Sequence, residues 1–96
     1  MGLALAIQER REEVLRVVVL HGAGNPRLVG SAARDDDTPD SDIDMLVDVT
    51  GFTAPWFPNS LAADLEHLLG KRVQVVIRRS LSPLIREAIL REAIPV

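Results

Sequence analysis

The 96-residue chain is 47% apolar and 26% charged with a formal net charge of −3, which suits one compact domain over residues 1–96 and leaves no room for a second, substrate-binding one. The charge balance offers nothing to a polyanion, and two Phe, one Trp and no Tyr are too few rings for a base-stacking surface, so nucleic acid is not expected as a direct partner. The absence of Cys excludes disulfides, thiolate metal sites and cysteine nucleophiles, and suits a reducing compartment.

The opening MGLALAIQERREE has too short an apolar part, with charges on the wrong side, for a secretory leader. Apolar runs such as residues 17–20 are far too short to cross a bilayer, and the expectation is a cytoplasmic protein. Over residues 7–20 the charges Glu9, Arg10, Arg11, Glu12, Glu13 and Arg16 surround Ile7, Val14, Leu15 and Val18, with Glu12 four before Arg16. That pattern predicts a first helix, although the β-branched run 17–19 also suits a strand. HGAGNP breaks it through Gly22, Gly24 and Pro26. Arg27, Leu28 and Val29 then form a short strand running into Gly30.

Strict alternation follows over residues 43–49, with Ile43, Met45, Val47 and Val49 on one face and Asp44, Leu46 and Asp48, preceded by Asp42, on the other. Residues 51–58 read as a loop. Asn59 or Ser60 can cap a helix carrying Leu61, Leu65, Leu68 and Leu69 that stops at Gly70. KRVQVVIRR alternates again, with Val73, Val75 and Ile77 opposite Arg72, Gln74, Val76 and Arg78. Ser82 and Pro83 open a last helix whose stripe Leu84, Ile85, Ala88 and Ile89 reads as core. Helix, strand, strand, helix, strand, helix predicts an α/β fold, a small sheet backed by helices.

The chemistry concentrates in GSAARDDDTPDSDID, residues 30–44. Asp40, Asp42 and Asp44 have the spacing of an EF-hand loop, but that loop's glycine would fall at Met45 and its bidentate glutamate at Gly51. Gly30 and Ser31 end one strand while Asp42 and Asp44 open the next, so both pairs reach the same sheet edge if the strands are neighbours. Glycine admits a phosphate close to the backbone, and a serine hydroxyl donates to its oxygens. Residues i and i+2 of a strand lie about 6.6 Å apart and point the same way. Two such carboxylates can therefore hold a hard divalent cation.

Gly30-Ser31, ten intervening residues, then Asp42-x-Asp44, within LVGSAARDDDTPDSDIDMLVDV, resembles the signature of the DNA polymerase beta nucleotidyltransferase superfamily. The short length, AAR after Gly-Ser, TPDSDID and the later LLGKRVQVV resemble its minimal nucleotidyltransferases, the MNT domains, of the MntA-like antitoxin type. The resemblance implies a small mixed β-sheet flanked by helices, the palm-like nucleotidyltransferase fold, with Mg2+ and a nucleoside triphosphate, usually ATP. It further implies a partner encoded nearby, a HEPN-type ribonuclease toxin that the antitoxin modifies by AMP transfer to a tyrosine or neutralises by binding. The chain has no Tyr, so such an acceptor must belong to another molecule. Small-molecule adenylylation is disfavoured by length.

Carried over on that resemblance, Gly30 and Ser31 hold the triphosphate, Asp42 and Asp44 are catalytic and bind magnesium, and Arg34 supports a phosphate or the acidic loop. Two departures stand out. Asp35 occupies a position where the family commonly has Gly, and Gln74 replaces the third catalytic carboxylate expected on the later strand. A neutral amide is no general base, so catalysis is expected to be weak or absent. The alternative is then an impaired, nucleotide-binding module that masks its partner. Asp48 lies about 13 Å beyond Asp44 along an extended strand and is no evident substitute. Asp35, Asp36 and Asp37 read as solvated loop, Arg72 and Arg78 as edge-strand surface, and His21 and His67 as without role. Trp56 is either a core plug or a partner anchor.

Overall fold

The computed structural model describes residues 2–96. Leu3 and Ile7, one turn apart, bury the inner side of α1 (Leu3–Glu9), and Val14 and Val18 that of α2 (Arg11–Leu20). The single helix expected over residues 7–20 is two, broken at Arg10, which has φ −112° and ψ 24°. Arg10 holds Glu13 with two of its nitrogens and donates at 2.8 Å to the Leu68 carbonyl. The break thus has a tertiary partner rather than a Gly or Pro. The run 17–19 is helical because Val18 is fully buried in the core; burial on the helical face outweighs the weak strand preference of valine.

β1 (Ala23–Val29) begins four residues earlier than expected and contains Pro26. It tolerates proline because its pairing with β2 (Ile43–Val49) slips between Gly24 and Arg27, a bulge in which Asn25 has φ 49°. α3 (Ser31–Arg34) is one turn between these antiparallel strands. α4 (Asn59–Leu69) buries Leu61 and Leu65 and ends, as expected, at Gly70 with φ 70°. Neither Asn59 nor Ser60 caps it with a side chain; the helix follows Pro58 directly. Ser60 Oγ instead lies 3.4 Å from His21 Nδ1, and His21 Nε2 lies 2.7 Å from Asp64 Oδ2. His21 therefore ties the end of α2 to the start of α4.

β3 (Val73–Ile77) runs parallel to β2, and β4 (Ile94–Pro95), which the sequence pattern does not reveal, runs antiparallel to β1, giving the order β3-β2-β1-β4. Between β3 and β4 come a 3-10 turn (Arg78–Ser80) and α5 (Pro83–Glu92), capped as expected by Ser82, whose Oγ accepts from the Leu84 amide. Leu84 and Ile85 are 94% and 50% exposed, and α5 has no fully buried residue. Of the stripe expected to be core, Leu84, Ile85 and Ala88 are turned outward. The positions half-buried on α5 are Arg86, Ile89 and Leu90, an i, i+3, i+4 set centred on an arginine whose stem packs while Nη2 donates to the Leu81 carbonyl.

The two faces of the sheet are covered unequally. Ile43, Met45 and Val47 are at most 1% exposed and join Val14, Val18, Leu61 and Leu65 in the main core. The other face presents Asp44, Leu46 and Asp48 of β2, and only Leu46 of these three is fully buried. Trp56 is 71% exposed, so it does not plug the core.

Candidate functional site

At the end of β1 the chain turns at Gly30, with φ 70° and ψ −146°, a conformation costly for any residue with a side chain. A Cβ here would also stand 2.6 Å from Asp44 Oδ2. Val29 pairs with Asp44 across β1 and β2, and Asp44 pairs with Gln74 across β2 and β3. The register therefore sets the glycine turn, Asp44 and Gln74 abreast on adjacent strands. Asp42 precedes β2, and the Ile43 amide between the two aspartates is fixed by a 2.9 Å bond to the Arg72 carbonyl.

A cleft of about 320 Å³ opens here, lined by Val29, Gly30, Arg34, Asp44, Gln74, Val76, Ile89 and Glu92. Of the residues singled out from sequence, it brings together Gly30, Arg34, Asp44 and Gln74. Ser31 and Asp42 adjoin it in the chain without lining it. Val29 and Val76 line it from the strands beside these residues, and α5 adds Ile89, which the sequence pattern assigns to the core, and Glu92, which the sequence reading does not single out. An acid at the end of a helix is the one local signal for Glu92, because it opposes the helix dipole by about 0.3–1 kcal/mol.

Partial burial, then the neighbouring Asp42 charge, pushes the Asp44 carboxyl above the usual carboxylate range, against an opposing pull from Arg34. Arg34 reaches Asp36 at 3.3 Å and Glu92 at 3.7 Å. Both of those pairs are half exposed, where ion pairs contribute about 0–1 kcal/mol. Asp35, standing where glycine is common, adopts φ 60° and ψ 31°. That left-handed conformation favours Gly but is open to Asp. Asp37 is not simply solvated loop: its carboxylate accepts from the Leu3 amide at 3.3 Å. Ser31 opens α3, but its hydroxyl does not cap that turn.

Asp48, farther along the same face, is held by Asn25 at 2.9 Å and Arg27 at 3.1 Å. Burial raises its pKa, but these hydrogen bonds outweigh burial and hold the carboxyl below its ordinary value. It is engaged away from the Asp44 pairing. Among the described residues no group of three or more His, Cys, Asp or Glu is arranged to hold a metal. Two carboxylates with room left for substrate oxygens nevertheless suit magnesium, which commonly takes one or two carboxylates and completes its shell with phosphates and water. The mutual repulsion felt by Asp44 is the kind that a divalent cation relieves.

A helix-backed mixed sheet, with a glycine turn against the second of two aspartates at the head of the next strand, has the organisation of a nucleotide-handling transferase. Residues 11–96 match the nucleotidyltransferase domain family, and the chain belongs to that family. It is 33% identical over 90 residues to the putative protein adenylyltransferase MJ0435 of Methanocaldococcus jannaschii, covering 94% of this chain and 97% of that one. A solved structure described as a putative minimal nucleotidyltransferase superposes with a TM-score of 0.82 at 43% identity, over 94% of this chain and 92% of the other. A chain in the solved complex of a tri-AMPylated Shewanella oneidensis HEPN toxin with MNT antitoxin shares the fold, with a TM-score of 0.67, 19% identity and coverage of 92% and 69%. No helix among the described residues is long and apolar enough to cross a membrane.

Proposed function

We propose that this protein, acting as one domain in the cytoplasm, binds ATP with magnesium and transfers AMP to a hydroxyl of a partner protein. The partner is a HEPN-type toxin encoded nearby, for which this chain is the antitoxin. The observation that carries the reading is the register of three strands: Gly30, Asp44 and Gln74 stand side by side at one edge of the sheet. Family membership and the likeness to a chain from an AMPylated toxin–antitoxin complex support the partner.

In this reading Gly30 gives the phosphates access to the backbone, with Ser31 donating from the turn that follows and Arg34 countering phosphate charge from the cleft wall. Asp42 and Asp44 would hold magnesium, which supplies charge neutralisation at the phosphates when bound. The acceptor oxygen bonds to the α-phosphorus, the bond from that phosphorus to the bridging oxygen breaks, and pyrophosphate leaves. Catalysis of this kind rests chiefly on positioning and electrostatics.

Gln74 favours a second reading, in which the chain binds nucleotide and masks the partner without modifying it, because an amide cannot take the acceptor's proton. Co-expression with the neighbouring open reading frame, followed by incubation of the complex with ATP labelled in the α-phosphate and magnesium, separates the two. Label on the partner, lost in Asp42→Asn/Asp44→Asn, is expected. A stable complex that takes up no label would establish the masking role instead.

A further inference from the structure

We propose that Glu92, from the end of α5, supplies the carboxylate that β3 lacks and accepts the proton of the acceptor hydroxyl. This rests on the transfer reaction proposed above. Position 74 pairs directly with Asp44 and carries an amide, so the strand itself offers no base. Among the residues lining the cleft, the carboxylates are Asp44 and Glu92. Asp44 is assigned to the cation, and Asp48 is already engaged with Asn25 and Arg27. Glu92 is the carboxylate of the cleft left for proton transfer.

Its placement suits that task. Oε2 lies 3.7 Å from Arg34 Nη1, so the group stands at the side of the cleft where Arg34 meets the phosphates in the proposed reaction. Its side chain is 49% exposed, which leaves it open to a hydroxyl brought by a second protein, and Gln74 across the cleft is exposed as well. Arg34 is its ion-pair partner, and a triphosphate competing for that arginine would free the carboxylate for the acceptor. The acid also sits at a helix C-terminus, where the backbone dipole disfavours it. Residues that break a local rule of this kind concentrate at functional sites.

As the acceptor oxygen bonds to the α-phosphorus and pyrophosphate departs with the electrons of the broken bond, the hydroxyl proton passes to the Glu92 carboxylate. The amide of Gln74 is left to orient the acceptor or a phosphate oxygen.

The alternative role for Glu92 is only to hold Arg34, and rescue distinguishes the two roles, since Gln74→Asp restores a carboxylate beside Asp44 without touching Arg34. The experiment compares wild type, Glu92→Gln and Glu92→Gln/Gln74→Asp as complexes with the partner, measuring labelled AMP transfer and, separately, ATP affinity with magnesium. Expected are a 100-fold or greater loss of transfer in Glu92→Gln, an ATP affinity within about threefold of wild type, and recovery of about tenfold or more in the double variant. Unchanged transfer in Glu92→Gln, or a loss that Gln74→Asp does not repair, would overturn the assignment. Wild type that binds ATP but transfers nothing would also overturn it while leaving the nucleotide site standing. Failure to bind ATP at all would remove the proposed function and this inference together.

Discussion

The two faces of β2 differ sharply although they are built from alternate residues of one heptapeptide. On one, Ile43, Met45 and Val47 are sealed in the core with the leucines of α4 and the valines of α2. On the other, Asp44 and Asp48 bracket a single buried leucine, and α5, which brings Ile89 and Glu92 to the cleft there, has no fully buried residue. Stability is concentrated on the first face, and the second is left open enough to carry charge. A strand with period-two side chains does both at once.

Substitutions sharpen this contrast in order of size. Leu65→Ala, in the sealed layer, should cost about 2–5 kcal/mol in denaturant unfolding. A cost under about 1 kcal/mol would mean that this layer does not carry the fold. Gly30→Ala, at the edge of the open face, should cost about 1–3 kcal/mol through its positive φ and the contact with Asp44, and should abolish ATP binding. Retained binding would show that the approach at Gly30 is not needed.

The two aspartates of the open face should respond to pH with opposite signs. Burial and Asp42 raise the Asp44 carboxyl, so the folded state holds this proton more tightly than the unfolded one. Its ionisation costs stability, fully above the raised folded pKa and not at all below the unfolded value of about 3.9. Asp44→Asn should therefore raise the Tm near neutral pH, and the gain should vanish in acid. The Asp48 carboxyl is held low by Asn25 and Arg27 against burial, so its contribution is present above about pH 3.9 and is lost as pH falls through its folded pKa. Asp48→Asn should lower the Tm near neutral pH. Thermal melts across pH test the pair, and shifts of the same sign would contradict the assignment of the two environments. Leu84→Ser comes last, with an expected change within about 0.5 kcal/mol, because its side chain is 94% exposed; a loss above about 1 kcal/mol would restore α5's outer stripe to the core.

What was legible in the sequence follows the same division. The pattern over residues 43–49 and the leucines of α4 announced the sealed layer, since burial on one face leaves a periodic trace. That Gly30 and Asp44 meet at one end of the sheet is legible because a turn glycine and paired acids carry chemistry in their spacing, whereas Gln74 stands out only through the family resemblance, which places a carboxylate at its position. The break at Arg10 was not, because its cause is a bond to Leu68, 58 residues away. The orientation of α5 escapes the pattern for a related reason: Leu84, Ile85, Ala88 and Ile89 form a plausible stripe, and only packing shows that the helix turns inward the side of Arg86, Ile89 and Leu90. Two residues of β4 are too few to leave a pattern. Beyond an acid at a helix end, nothing local marks Glu92, because its place in the cleft depends on where α5 packs.

Every role proposed for the site depends on the aspartate pair at the head of β2 binding a metal-bound triphosphate. Isothermal titration of ATP into the wild type and into Asp42→Ala/Asp44→Ala, each in magnesium and in chelator, tests it most directly. Binding is expected only for the wild type in magnesium, because the carboxylates and the phosphates need the cation between them. Equal ATP affinity in the double variant, or in the wild type without magnesium, would contradict it.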